Sequence, residues 1–65
     1  MDTSNGYEVI AYIGNAKPVT VAWFMYLTEC EEYIERTVDY YTAHHESATL
    51  YAEHKGKIVL YESNL

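Results

Sequence analysis

Three carboxylates spaced four residues apart, Glu31, Glu35 and Asp39, are the groups in this chain best placed to act together. On a helix that spacing aligns them along one flank, with Glu32 just beyond, and successive carboxylates stand about 6 Å apart along the axis. The chemistry of such a row is electrostatic. It would hold Lys or Arg side chains of a partner, at a spacing comparable to that of successive phosphates along one DNA strand. The other reactive groups do not combine. Cys30 with His44 or His45 is the one Cys–His option, and nearly four helical turns, roughly 20 Å, separate them. Ser4, Ser47 and Ser63 fall in an expected tail or loop, outside any nucleophile-elbow pattern. No catalytic residue is therefore assigned, and the chain is not read as an enzyme. His44, His45, His54 and Glu46 could donate to a metal, but adjacent histidines on a helix end point about 100° apart and do not chelate as an i, i+4 pair does. No metal or cofactor is assigned. Gly6, Gly14 and Gly56 are isolated, so there is no phosphate-cradling loop.

The element that must carry the row is a helix over Thr28–His45, TECEEYIERTVDYYTAHH. Thr28 and Glu31 make a Thr-x-x-Glu capping box. Glu29, Glu31 and Glu32 place negative charge at the positive end of the helix dipole. Cys30, Ile34, Val38 and Tyr41 recur at helical spacing as an apolar stripe. Beside it run the acidic flank and, on the other side, Tyr33, Thr37, Tyr40 and His44. Like charges at i, i+4 cost a few tenths of a kcal/mol, roughly, per pair, and Arg36 can offset them by pairing with Glu32.

Four strands accompany the helix. Tyr7–Ile13 is rich in β-branched and aromatic residues, Gly14–Pro18 is a turn, and Val19–Leu27 is a second strand that should form an antiparallel hairpin with the first. After the helix, Glu46 and Ser47 form a short exit to a third strand, Ala48–His54. Lys55–Gly56 is a two-residue turn of the Asn-Gly kind, with Lys replacing Asn, and Lys57–Glu62 is the fourth strand. Residues 1–6 are a polar, flexible leader, Ser63–Leu65 is a tail, and residues 7–65 form one domain. The expected fold is α+β, ββαββ, with a four-stranded mainly antiparallel sheet and one amphipathic helix on one face.

One helix covers one face of such a sheet and leaves the other bare. In Val19–Leu27 both alternating sets are apolar, with Val19, Val21, Trp23, Met25 and Leu27 on one side and Ala22, Phe24 and Tyr26 on the other. A half-solvated strand alternates apolar and polar residues, so this strand is expected at the centre of the sheet with its second face covered. The chain also has eight tyrosines, a residue whose large ring and water-tolerant hydroxyl suit interfaces. Tyr12, Trp23, Tyr26, Tyr51 and Tyr61 are the expected sheet-face contacts, through which the chain could homodimerise.

Composition narrows the partners. The net charge is −6, with four basic residues, Lys17, Arg36, Lys55 and Lys57. Phosphates would be repelled, so direct binding to nucleic acid or to an anionic membrane is not expected. A protein with a basic surface is favoured. No apolar run is long enough to span a bilayer, and the polar start MDTSNG lacks a signal-peptide pattern. The single cysteine permits no internal disulfide, which suits the reducing cytoplasm.

In size, charge and layout, with TECEEYIERTVDYY at its centre, the chain resembles the small acidic proteins with which bacteriophages disable host enzymes or defence systems. The resemblance implies a stoichiometric protein–protein inhibitor, in some cases a DNA mimic, directed at a nucleic-acid-handling enzyme. Glu31, Glu32, Glu35 and Asp39 would contact basic residues of that target, and Tyr33 and Tyr40 would supply packed anchors. The alternative is a structural or assembly module that homodimerises through its tyrosine-rich sheet face.

Overall fold

A computed structural model describes residues 6–65, so the expected leader lies outside the described residues except for Gly6. Gly6 is buried, and its carbonyl oxygen lies 3.0 Å from Nδ1 of His54. The elements are β1 (Tyr7–Ile13), β2 (Val19–Phe24), α1 (Leu27–Ala43), β3 (Ala48–His54) and β4 (Lys57–Ser63). They form one four-stranded sheet in the order β2-β1-β3-β4, and all three pairings are antiparallel. The α+β, ββαββ architecture is that expected from the sequence. No helix among the described residues is long and apolar enough to cross a membrane.

Strand alternation decides what the helix covers. Val9 and Ala11 of β1, with Ala48, Leu50 and Ala52 of β3, point to one face and pack against Cys30, Ile34 and Val38 of α1. The three alanines keep this surface low, which lets the helix lie close above the two central strands. Leu50, Val9 and Cys30 are the largest fully buried side chains. Burying an aliphatic residue of this kind contributes about 1.5–3 kcal/mol, so a few positions carry much of the stability of so small a core.

The second strand departs from expectation. It ends at Phe24 rather than Leu27, and it lies at an edge of the sheet rather than at its centre. Ala22 and Phe24 turn under the helix, where the Phe24 ring meets Tyr33 at 5.4 Å between centroids. Trp23 points to the opposite face and remains 51% exposed. A bulge opposite Val9/Ile10 pairs Ala22 with Val9, Thr20 with Ile10 and Val19 with Ala11. It therefore breaks the single alternating set expected over Val19, Val21 and Trp23. The strand with two buried faces is β1, whose Val9, Ile10 and Ala11 are all buried.

The helix begins at Leu27 because the chain must leave the edge strand and climb to the next layer within Met25–Tyr26. Tyr26 is the N-cap residue, in an extended conformation, and its carbonyl receives the Cys30 N–H at 3.4 Å. Thr28 thus lies inside the first turn, no side chain caps the helix start, and the expected Thr28–Glu31 capping box does not form. At the other end the helix stops at Ala43. The His45 N–H donates to Thr42 O at 3.1 Å and the Glu46 N–H to Tyr41 O at 2.9 Å. That is a Schellman ending, with His45 at φ +58° in the left-handed position that glycine usually takes.

The C-terminal segment is structured beyond the expected strand end. Ser63 belongs to β4, and Asn64 ties three segments together. Its Oδ1 accepts the Ala48 N–H at 2.9 Å, and its Nδ2 donates to Thr42 Oγ1 at 3.0 Å and to Glu46 O at 2.8 Å. At the β3–β4 turn both Lys55 (φ +53°) and Gly56 (φ +79°) have positive φ, which is the type I′ geometry that matches the twist of a two-residue hairpin.

Candidate functional site

The helix presents two different flanks. Glu31 and Glu35 line a groove of about 220 Å³ with Ile34 and with Leu60, Tyr61 and Glu62 of β4. Glu62 thereby joins the helix carboxylates, a meeting that helical spacing alone cannot show because it depends on which strand lies under that flank. Asp39 is exposed further along the helix. The other flank, facing β2, is a groove of about 470 Å³ lined by Phe24, Glu29, Glu32, Tyr33, Arg36 and Tyr40 among others. Glu32 therefore borders the tyrosine side as well as the acidic row. Its Oε2 lies 4.0 Å from Arg36 Nη2, the single ion pair among the described residues. Both side chains are exposed, so this pair contributes little to stability.

Five carboxylates and one basic residue, Arg36, lie on the helix, so its surface is strongly negative outside the buried stripe. Tyr33 is half-buried against Phe24, while Tyr40 is exposed, with ring centroids 4.2 Å from a tilted His44 and 5.2 Å from an edge-on Tyr41. Tyr33 and Tyr40 thus face β2, across the helix from Glu31 and Glu35. A partner reaching both sets must straddle the helix.

The bare sheet face is the second surface. Register places Trp23, Glu8, Glu53 and Ile58 in one line across all four strands. The next line holds Thr20, Ile10, Tyr51 and Tyr61, and the third Tyr12, Thr49 and Ser63. Ile58 is 58% and Tyr61 67% exposed. Tyr12, Tyr51, Ile58 and Tyr61 line a cavity of about 490 Å³. Tyr12 and Tyr51 lie 6.0 Å apart between ring centroids. Burial pushes the Tyr51 phenol above its ordinary pKa, the Tyr12 hydroxyl adds to this, and the carboxylates Glu53 and Glu8 raise it further. Tyr26, expected on this face, is instead the helix N-cap and lies outside the sheet.

Sequence reasoning missed the polar pattern of this face. Glu8 and Glu53 stand directly opposite each other at one end, and the Thr20 hydroxyl donates to Glu8 Oε2. At the other end Thr49 Oγ1 and Ser63 Oγ share a hydrogen bond of 2.8 Å. The alternation of Tyr7–Ile13 puts Glu8 and Tyr12 on one side, but the pairing that brings Glu53 and Thr49 beside them spans the whole helix in sequence.

The remaining reactive groups stay apart. Cys30 is fully buried, and burial, with Glu29 adding to it, raises its thiol pKa. A thiol so placed is a poor nucleophile at neutral pH. His44 approaches Tyr40 O through Nδ1 at 2.8 Å, and the His54 ring stacks on Tyr7 at 4.5 Å. Among the described residues no three of His, Cys, Asp and Glu are grouped so as to hold a metal ion. No family model, curated protein or solved structure matches this chain, so its function is argued from these surfaces.

Proposed function

We propose that this chain is a small acidic binding protein that inhibits a nucleic-acid-handling enzyme of a bacterial host by occupying its basic surface in the cytoplasm. The observation that carries the reading is the acidic flank, where Glu31, Glu35 and Asp39 are exposed and Glu62 extends the carboxylates onto β4. Holding like charges together on a helix opposes folding slightly. It becomes favourable when a partner supplies Lys or Arg. Such a contact steers association and is screened by salt. The layout resemblance to small acidic phage inhibitors supports the same reading, and a row spaced like DNA phosphates suits a groove built for nucleic acid.

The experiment is a tagged pull-down from bacterial lysate at low and high salt, comparing the natural chain with a variant carrying Glu31→Ala, Glu35→Ala and Asp39→Ala. The expected result is a nucleic-acid-handling enzyme retained at low salt, lost at high salt and lost with the variant. Equal retention by the variant would contradict the reading.

A further inference from the structure

We infer that the bare sheet face seats a second copy of this chain, in a two-fold dimer whose sheets stack face to face with the two-fold axis running across the strands. The inference goes beyond the acidic-flank reading and does not depend on it.

Three observations select this occupant. The first is what the face exposes. Trp23 stands at the β2 edge and Ile58 and Tyr61 at the β4 edge, so large exposed side chains flank the face on both edges. Ile10, at its middle, is buried although it lies outside the helix-side core cluster, so the centre of the bare face is apolar.

The second is area. Four strands about 4.8 Å apart and seven residues of about 3.4 Å each make a face of roughly 450 Å². Two faces together give about 900 Å² before side-chain relief is counted, below the roughly 1,200 Å² of specific, stable interfaces and within the range of weak, transient ones. A reversible dimer fits this size.

The third is polarity, which also sets the orientation. With the axis along the strands, Glu8 of each copy would lie over Glu53 of the other and four carboxylates would be shut together. With the axis across the strands, β1 lies over β1 and β3 over β3 in reversed direction. Glu8 then meets Tyr12 of the second copy, and Glu53 meets Thr49. Each carboxylate gains a hydroxyl donor, and the middle line of Ile10, Tyr51 and Tyr61 packs on itself. The acidic helices end up on the two outer surfaces, about 30 Å apart at about 10 Å per layer, well beyond the Debye length of about 8–10 Å. The net charge therefore does not oppose this dimer strongly, and the assembly displays two acidic flanks facing outward.

Sedimentation equilibrium across a concentration series tests both parts. The expected result is a reversible monomer–dimer equilibrium for the natural chain. Ile58→Glu with Tyr61→Glu should weaken it at least about 100-fold, because Tyr61 packs on its own copy across the axis and the variant sets like charges against each other there. Trp23→Lys, on the other edge, is the second variant should the first fail to fold, and circular dichroism reports the fold of each. For orientation, Glu8→Ala and Tyr12→Phe should each weaken the dimer several-fold, and the double variant should be little worse than either. These side chains are about 13 Å apart along one strand, so non-additive effects on the dimer constant arise across the interface. A natural chain that stays monomeric at the highest concentration, or a dimer unchanged by the face variants, would overturn the inference. Additive effects of Glu8→Ala and Tyr12→Phe would overturn the orientation.

Discussion

The two faces of the sheet are built from different residues for different ends. Under the helix lie Val9, Ala11, Ala48, Leu50 and Ala52, small or medium side chains that leave room for a second layer. On the bare face stand Tyr12, Trp23, Tyr51, Ile58 and Tyr61, large side chains with no layer above them among the described residues. The covered face spends its surface on folding. The bare face and the carboxylates on the outer side of the helix remain available for recognition. Substitutions on the covered face should therefore change stability, and those on the outer surfaces should change binding.

The sharpest way to break this division is Leu50→Ala. It removes the largest fully buried side chain and should cost about 2–5 kcal/mol, enough to unfold much of a domain this small, as read by urea denaturation. A loss below about 1 kcal/mol would mean that the single helix–sheet core is not what holds the chain together. Asn64→Ala comes next. It leaves the Ala48 N–H and the Glu46 carbonyl without their side-chain partner and should lower stability by roughly 1–3 kcal/mol in the same assay.

His45→Gly should act in the opposite direction. The left-handed conformation strains any residue with a Cβ, and glycine there should raise stability by about 1 kcal/mol, visible as a higher midpoint of thermal unfolding. Glu31→Ala with Glu35→Ala and Asp39→Ala relieves like-charge neighbours, so folding stability should stay the same or rise by a few tenths of a kcal/mol, roughly, while binding is lost. This variant separates the outer surface from the core most cleanly.

Cys30 adds a pH signature of the covered face. Its thiol pKa is raised in the fold above the ordinary value of 9.0. The thiolate is thus disfavoured in the folded state, and the neutral thiol is the form compatible with the core. Its contribution is fully present below the unfolded pKa and is lost as pH rises through the folded one. Unfolding midpoints measured from neutral pH to above pH 9 should fall, and Cys30→Ala should remove the Cys30 share of that fall.

Much of this architecture was legible in the sequence because local patterns report it. Cys30, Ile34 and Val38 mark the buried helix stripe, the β-branched and aromatic residues of Tyr7–Ile13 mark a strand, and Lys55–Gly56 marks a tight turn. The misreadings share one cause. Val19–Leu27 is apolar apart from Thr20, so periodicity carries little sign of where the strand ends or which side faces the core. The end at Phe24 is set by the climb into the helix layer and the packing of Phe24 on Tyr33. The edge position of β2 follows from β1 pairing with β3, a contact between segments separated by the entire helix. The same long-range pairing gathers Glu8 with Glu53 and places Glu62 beside Glu31 and Glu35. The acidic row was legible, whereas its extension onto β4 and the polar ends of the bare face were not.

The most direct test of the acidic-flank account is an inhibition titration of the captured enzyme with the natural chain and with Glu31→Lys, Glu35→Lys and Asp39→Lys combined. The account predicts stoichiometric inhibition by the natural chain that weakens with added salt, and none by the folded variant. Equal inhibition by both, unaffected by salt, would contradict it and move the binding site away from the helix carboxylates.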